Sequence, residues 1–180
     1  MLTLVDLIRS KIRDIPDFPK PGILFRDITP VWSDAAAFEA CMDIFSDRYS
    51  GGLFEKPELI VGIESRGFVV GSAFAAKQSL GFVPIRKRGK LPHIVESHEY
   101  ELEYGSDCVE IHKDAVRKGQ KVLIVDDLLA TGGTMLASIE LLKRLGADVV
   151  GCAVVIDLPS LGGREKLEKA GYDVFSILDY

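Results

Sequence analysis

Between Lys121 and Leu145 the chain reads KVLIVDDLLATGGTMLASIELLKRL, an order of residues that few folds can accommodate. Val122 to Val125 is an apolar run of strand length. Two acids follow, Asp126 and Asp127, then Thr131-Gly132-Gly133-Thr134. Apolar residues at Met135, Ile139, Leu142 and Leu145 then recur at helical spacing. The segment reads as a buried strand, a tight loop and an amphipathic helix.

The same alternation runs through most of the chain. Leu59 to Ile63, Phe82 to Ile85, Val149 to Ile156 and Val174 to Leu178 read as strands. Gly67 to Gln78 and Lys166 to Ala170 read as helices between them. Strands that alternate with helices imply a mostly parallel sheet covered on both faces, an α/β fold. Ligands of such sheets lie beyond the carboxyl ends of the strands, where the acids and glycines of the loop fall. At 180 residues one domain is expected.

Ahead of the sheet, Leu4, Ile8 and Ile12 mark a short amphipathic helix that Pro16 should end. Prolines at 16, 19 and 21 then force an extended path toward Phe25. A second helix carries Phe38, Cys41, Phe45 and Tyr49 on one face and stops at Gly51-Gly52. Trp32 and Met42 read as core or interface. Between Lys87 and Gln120 the chain is too polar and irregular for core. The alternation Glu99-Tyr100-Glu101-Leu102-Glu103-Tyr104, a turn at Gly105-Ser106-Asp107 and the pair Val109 and Ile111 suggest a hairpin projecting from the body. Such excursions often serve as lids.

Gly132 and Gly133 allow consecutive backbone amides to point at one anion, and the helix that follows adds its unsatisfied amides and positive dipole end. Thr131 and Thr134 can offer hydroxyls to the same anion, and either could cap the helix. Carboxylates repel phosphate but accept well from vicinal hydroxyls, so Asp126 and Asp127 beside the cradle point to a ribose 5-phosphate. A nucleoside-triphosphate loop needs a lysine after its last glycine, and Gly133 is followed by Thr134 and Met135. The GxGxxG spacing of a dinucleotide site is absent as well. The plainer alternative is a Gly-Gly turn with two solvated capping acids, a reading that suits Gly-Gly alone better than the whole string.

The segment resembles the sugar-pyrophosphate signature of the type I phosphoribosyltransferases. DFPKPGILFRDITPV near the N-terminus, IESRGFVVG, and IRKRGKLP with the later LEYG are similar to the members of that family that act on adenine. The likeness covers nearly the whole chain and is weakest after Pro159. It implies a single domain with a small N-terminal hood over about residues 1–32 and a flexible catalytic loop over about 87–118. It also implies purine salvage: adenine and 5-phosphoribosyl-1-pyrophosphate give AMP and pyrophosphate. Magnesium would arrive with the pyrophosphate substrate, held mainly by substrate oxygens and water.

Residue by residue, the resemblance places the ribose phosphate on Asp126, Asp127 and the loop Ala130, Thr131, Gly132, Gly133 and Thr134. A non-proline cis peptide at Glu64-Ser65 would expose backbone to pyrophosphate, and Arg66, Lys87 and Lys90 would stabilise its charge. Backbone groups of Leu24 and Arg26 would read the adenine edge while Phe25 stacks on its face. Alternation alone cannot choose among Glu99, Glu101 and Glu103. The resemblance selects Glu103 for proton transfer, with Tyr104 closing the lid. Family members are dimers, so Arg86 would act on the neighbouring site.

Arg86, Lys87, Arg88 and Lys90 make a local anion site on a chain whose formal charge is −5, a balance that argues against nonspecific nucleic-acid or membrane binding. Cys41, Cys108 and Cys152 show neither a disulfide framework nor a zinc spacing. His93, His98 and His112 have no metal-ligand spacing, so no protein metal site is expected. With no apolar run of spanning length and no signal-peptide core, a cytoplasmic protein is expected. Two other readings share these residues: a regulator that binds the sugar pyrophosphate without turnover, and a transferase for guanine or hypoxanthine. No appended DNA-binding region is evident, and Glu103 is retained; both features favour the enzyme. FRDIT and LEYG favour adenine by resemblance.

Overall fold

The computed structural model describes residues 3–51, 55–101 and 106–180. Helix α1 (Leu4–Lys11) begins at a capping box in which the Thr3 hydroxyl accepts from the Asp6 N–H and Asp6 returns the bond to the Thr3 N–H. It ends at Lys11, before the expected stop at Pro16, because Ile12 is already extended and leads into β1 (Arg13–Pro16). β1 pairs antiparallel with β2 (Leu24–Asp27), so the proline-rich stretch forms a hairpin connection where the sequence suggested only an extended path. A short helix α2 (Thr29–Ser33), too brief for periodicity to reveal, precedes α3 (Ala35–Tyr49). Asp34 caps α3 by accepting from the Ala37 N–H.

The alternating core follows: β3 (Leu59–Ile63), α4 (Gly67–Gln78), β4 (Gly81–Lys87), β5 (Val95–Glu101), β6 (Ser106–His112), β7 (Lys121–Leu129), α5 (Gly133–Arg144), β8 (Asp148–Asp157), α6 (Gly163–Lys169) and β9 (Val174–Asp179). All strands from β3 onward form one seven-stranded sheet in the order β5-β6-β4-β3-β7-β8-β9. The run from β4 to β9 is parallel, and β6 and β5 close one edge antiparallel.

Strand alternation divides the core between two faces. Leu123, Val125, Ala153 and Val155 pack with Ile8, Val31, Phe45, Tyr49 and Phe74 under α1 to α4. Val122, Ile124, Cys152 and Val154 pack with Met135, Ile139, Leu142 and Leu167 under α5 and α6. The three cysteines are free and buried. Among the described residues no helix is long and apolar enough to cross a membrane.

The hairpin expected to project from the body instead belongs to it. β6 pairs with β4 through Arg86 opposite Glu110 and Lys87 opposite Val109. Val109 and Ile111 are buried in the second core cluster. Asp107, taken for a turn residue, lies within β6 opposite Tyr100. The polar composition misled because an antiparallel strand with one face on the core needs only every second residue to be apolar. The tip, residues 102–105, lies outside the described residues.

Candidate active site

The carboxyl ends of β3, β4 and β7 meet at one concavity, the position that the parallel topology demands. Its lining includes Glu64, Lys87, Asp126, Ala130, Thr131, Gly132, Gly133 and Thr134. An adjoining hollow carries Ser65, Arg66 and Asp127 and shares Glu64, Asp126 and Leu128 with the first. The two segments IESRG and DDLLATGGT are thus brought together by parallel pairing of β3 with β7.

Close packing depends on two glycines. A Cβ on Gly67 would come within 2.7 Å of an Asp126 carboxylate oxygen, so the start of α4 rests directly on the acid pair. A Cβ on Gly163 would fall 2.2 Å from the Ala130 carbonyl oxygen, so α6 supports the loop from behind. Gly132 supplies the left-handed turn into α5, with φ of 75°.

Neither threonine caps α5. Its N-cap is Gly132, with no side-chain cap hydrogen bond, and Arg66, the N-cap of α4, likewise makes none. Thr134 is instead occupied by Tyr100, and two helix N-termini present backbone donors toward the site. The Glu64-Ser65 peptide is cis.

Each cation of the site is matched by a carboxylate. Arg66 Nε lies 2.7 Å from Asp127 Oδ2, and its guanidinium sits 5.8 Å from the Phe25 ring centroid, which ties the β1–β2 hairpin to the acid pair. Glu64 accepts from Lys90 Nζ at 2.5 Å, the Lys87 backbone N–H at 2.9 Å and Arg86 Nε at 3.3 Å. Burial would raise the Glu64 pKa, but these donors outweigh it and hold the carboxyl at about 2. Lys87 Nζ pairs with Asp107 and donates to the Tyr100 hydroxyl at 3.1 Å. Burial opposes its charge, yet those partners raise its pKa above the ordinary lysine value.

The acid pair runs the other way. Burial pushes the Asp126 carboxyl well above the usual carboxylate range, and the charge of Asp127 adds to it. Asp127 is raised by its own burial, with Arg66 partly offsetting. Two carboxylates with few competing donors suit a ligand that brings its own hydroxyls or cation. Among the described residues no three His, Cys, Asp or Glu side chains are arranged to hold a metal ion. Carboxylate oxygens of this kind would suit a magnesium ion brought in with a substrate.

Of the remaining expected residues, Leu24, Phe25 and Arg26 lie on β2, half-buried except for the exposed Leu24. Arg26 is held by Asp14 and by the Tyr180 ring, 4.2 Å from its guanidinium, which anchors the hairpin over the strand ends. Arg86 pairs with Glu64 of its own chain. Arg88, in the same basic run, turns out to Glu99, both side chains 62% exposed. Glu103 and Tyr104 lie outside the described residues. Sequence reasoning missed Tyr100, Asp107 and Gly163, none of which sits in a motif; only three-dimensional proximity marks them.

A mostly parallel sheet with a glycine loop and paired acids at its strand ends suits a sugar-phosphate ligand, and comparison with known proteins gives the class. The phosphoribosyl transferase domain model matches residues 33–179, and the chain belongs to that family. Relatives that match along nearly the whole chain narrow the branch. The adenine phosphoribosyltransferase of Bordetella parapertussis is 50% identical over 175 residues, 97% of this chain and 90% of that protein. The crystal structure of adenine phosphoribosyltransferase from Thermoanaerobacter pseudethanolicus superposes with a TM-score of 0.92 at 49% identity, covering 98% of this chain and 99% of that one. The enzyme of Saccharomyces cerevisiae, solved with an imino-altritol bisphosphate and adenine, gives 0.90 at 38% identity over 99% and 100% of the two chains.

Proposed function

We propose that this chain is a purine-salvage pentosyltransferase that converts adenine and 5-phosphoribosyl-1-pyrophosphate to AMP and pyrophosphate. The observation that carries the reading is the Ala130 to Thr134 loop, set between an acid pair and an uncapped helix in a chain half identical to adenine phosphoribosyltransferases.

The loop amides and the hydroxyls of Thr131 and Thr134 hold the 5′-phosphate, while Asp126 and Asp127 accept from the ribose hydroxyls. Arg66, Lys87 and Lys90 turn from their carboxylates to the pyrophosphate, whose charge grows as the C1′–oxygen bond breaks. The leaving group departs with the bonding electrons, and the adenine ring nitrogen bonds to C1′. The proton that adenine loses passes to the Glu103 carboxylate, which Tyr104 helps close over the site. Backbone amide and carbonyl groups of Leu24 and Arg26 distinguish an amino from an oxo purine, and Phe25 stacks on the ring. Magnesium, when bound with the substrate, neutralises pyrophosphate charge. The Glu64-Ser65 peptide offers its backbone to the same group. We place the enzyme in the cytoplasm as a homodimer in which Arg86 exchanges Glu64 for the neighbouring site. Residues 1–32 serve as the hood of the base site, and residues 87–118 carry the lid.

Pyrophosphate release with adenine, guanine, hypoxanthine or uracil offered separately tests the reading. Release with adenine alone is expected. Release with none of the four would leave only an effector-binding role, and release with guanine or hypoxanthine in place of adenine would overturn the base assignment.

A further inference from the structure

Tyr100 has no part in the chemistry described so far, yet its hydroxyl is the meeting point of the site. It lies 2.9 Å from Thr134 Oγ1 at the start of α5, 3.1 Å from Lys87 Nζ on β4 and 3.1 Å from Asp107 Oδ2 on β6. Its ring also packs 3.7 Å from where a Cβ on Gly133 would lie. Tyr100 and Asp107 face each other across the β5–β6 ladder, one rung before the last described pair, Glu101 and Ser106. The node therefore joins the phosphate loop to the strands that carry the tip.

Hydrogen-bond polarity restricts what this node can do. Lysine can only donate and carboxylate can only accept, so the tyrosine oxygen accepts from Lys87 and its single proton goes to Asp107. Thr134 must then donate to Tyr100, and its hydroxyl proton is turned away from the loop. A phosphate in the loop needs that proton. When Thr134 turns it to a phosphate oxygen, Thr134 Oγ1 becomes an acceptor, and Tyr100 can satisfy it only by releasing Asp107.

We propose that Tyr100 is a positioning residue whose hydroxyl transmits occupancy of the phosphate loop to the hairpin, by exchanging its proton between Asp107 and Thr134. The inference rests on the sugar-phosphate reading of the loop. It makes Tyr100 neither a base nor a nucleophile, because no atom of the reacting centre is required to touch it.

The test compares the wild type with Tyr100→Phe, which keeps the ring over Gly133 and removes the hydroxyl alone. In the wild type, amide hydrogen exchange in residues 95–101 and 106–112 should slow when AMP is added. In Tyr100→Phe, AMP should still bind, that slowing should be lost, and the KM for the sugar pyrophosphate should rise about tenfold with the KM for adenine unchanged. Thr134→Val should give the same loss of response, and the double variant should be no worse than the poorer single one, since both break one link. A hairpin that responds to AMP in Tyr100→Phe as in the wild type, or single effects that simply add, would overturn the proposal while leaving the loop assignment intact. Failure of AMP to bind the wild type would instead remove the reading on which it rests.

Discussion

Asp126, proposed above as a ribose ligand, works against the stability of its own fold. Its carboxyl is half-buried in the wall of the concavity, has Asp127 beside it, and is held above the usual carboxylate range. A carboxylic acid with a raised folded pKa keeps its proton in a pH range where the unfolded chain has lost it. Stability is thus full below about pH 4 and is lost as pH rises through the folded value. Asp126→Asn retains an acceptor for the Asp127 N–H, now at 2.9 Å, and removes the charge. At neutral pH the variant should gain about 1 kcal/mol, a melting temperature about 2–4 °C higher, with the gain vanishing in acid. Calorimetric affinity for the sugar pyrophosphate should fall at least about tenfold, as the loss of a hydrogen bond to a charged partner implies. A variant that melts lower at pH 7 yet binds normally would contradict both halves of this account.

At the scale of elements, the loop proposed to hold phosphate is shaped as much by α6 as by its own glycines. α6 comes from a part of the chain where resemblance is weakest, but Gly163 leaves no room for a Cβ beside the Ala130 carbonyl. Arg164, the next residue, fixes the helix by donating to the buried Asp157 at 2.6 Å and to the Val174 carbonyl at 2.7 Å. Gly163→Ala must therefore move the helix or the loop. We expect a rise of about tenfold or more in the KM for the sugar pyrophosphate with little change for adenine, because a displacement of about 1 Å in a binding loop can cost two orders of magnitude. Steady-state kinetics with each substrate varied in turn would show it, and equal effects on both substrates would mean that the whole domain had shifted.

On the scale of the whole molecule, the hairpin that carries the tip is continuous with the core. Ile111 is fully buried on β6, packed in the same cluster as Ile85, Val122 and Ile139. Truncation there should cost global stability, about 2–5 kcal/mol for Ile111→Ala in urea denaturation, as for a residue of the central strands. A loss below about 0.5 kcal/mol, the range of surface substitutions, would show that the hairpin is an appendage to the sheet.

The strand, acid pair, glycine loop and helix from Lys121 to Leu145 could be read directly, because periodicity and local turn chemistry are properties of neighbouring residues. The parallel α/β class followed from the same regularity, and so did the location of the site beyond the strand ends. What sequence could not supply were partners brought from afar. Glu64 gathers Arg86 and Lys87 from β4 and Lys90 from the turn after it, more than twenty residues later, Asp127 pairs with Arg66, and Tyr100 meets Thr134 across two elements. Val109 and Ile111 looked too sparse for core until β4 supplied their neighbour. Local spacing determines which backbone conformations and faces a segment prefers. Charge pairing, close glycine contacts and the placement of β6 beside β4 depend on distances between segments, and only the folded sheet sets those.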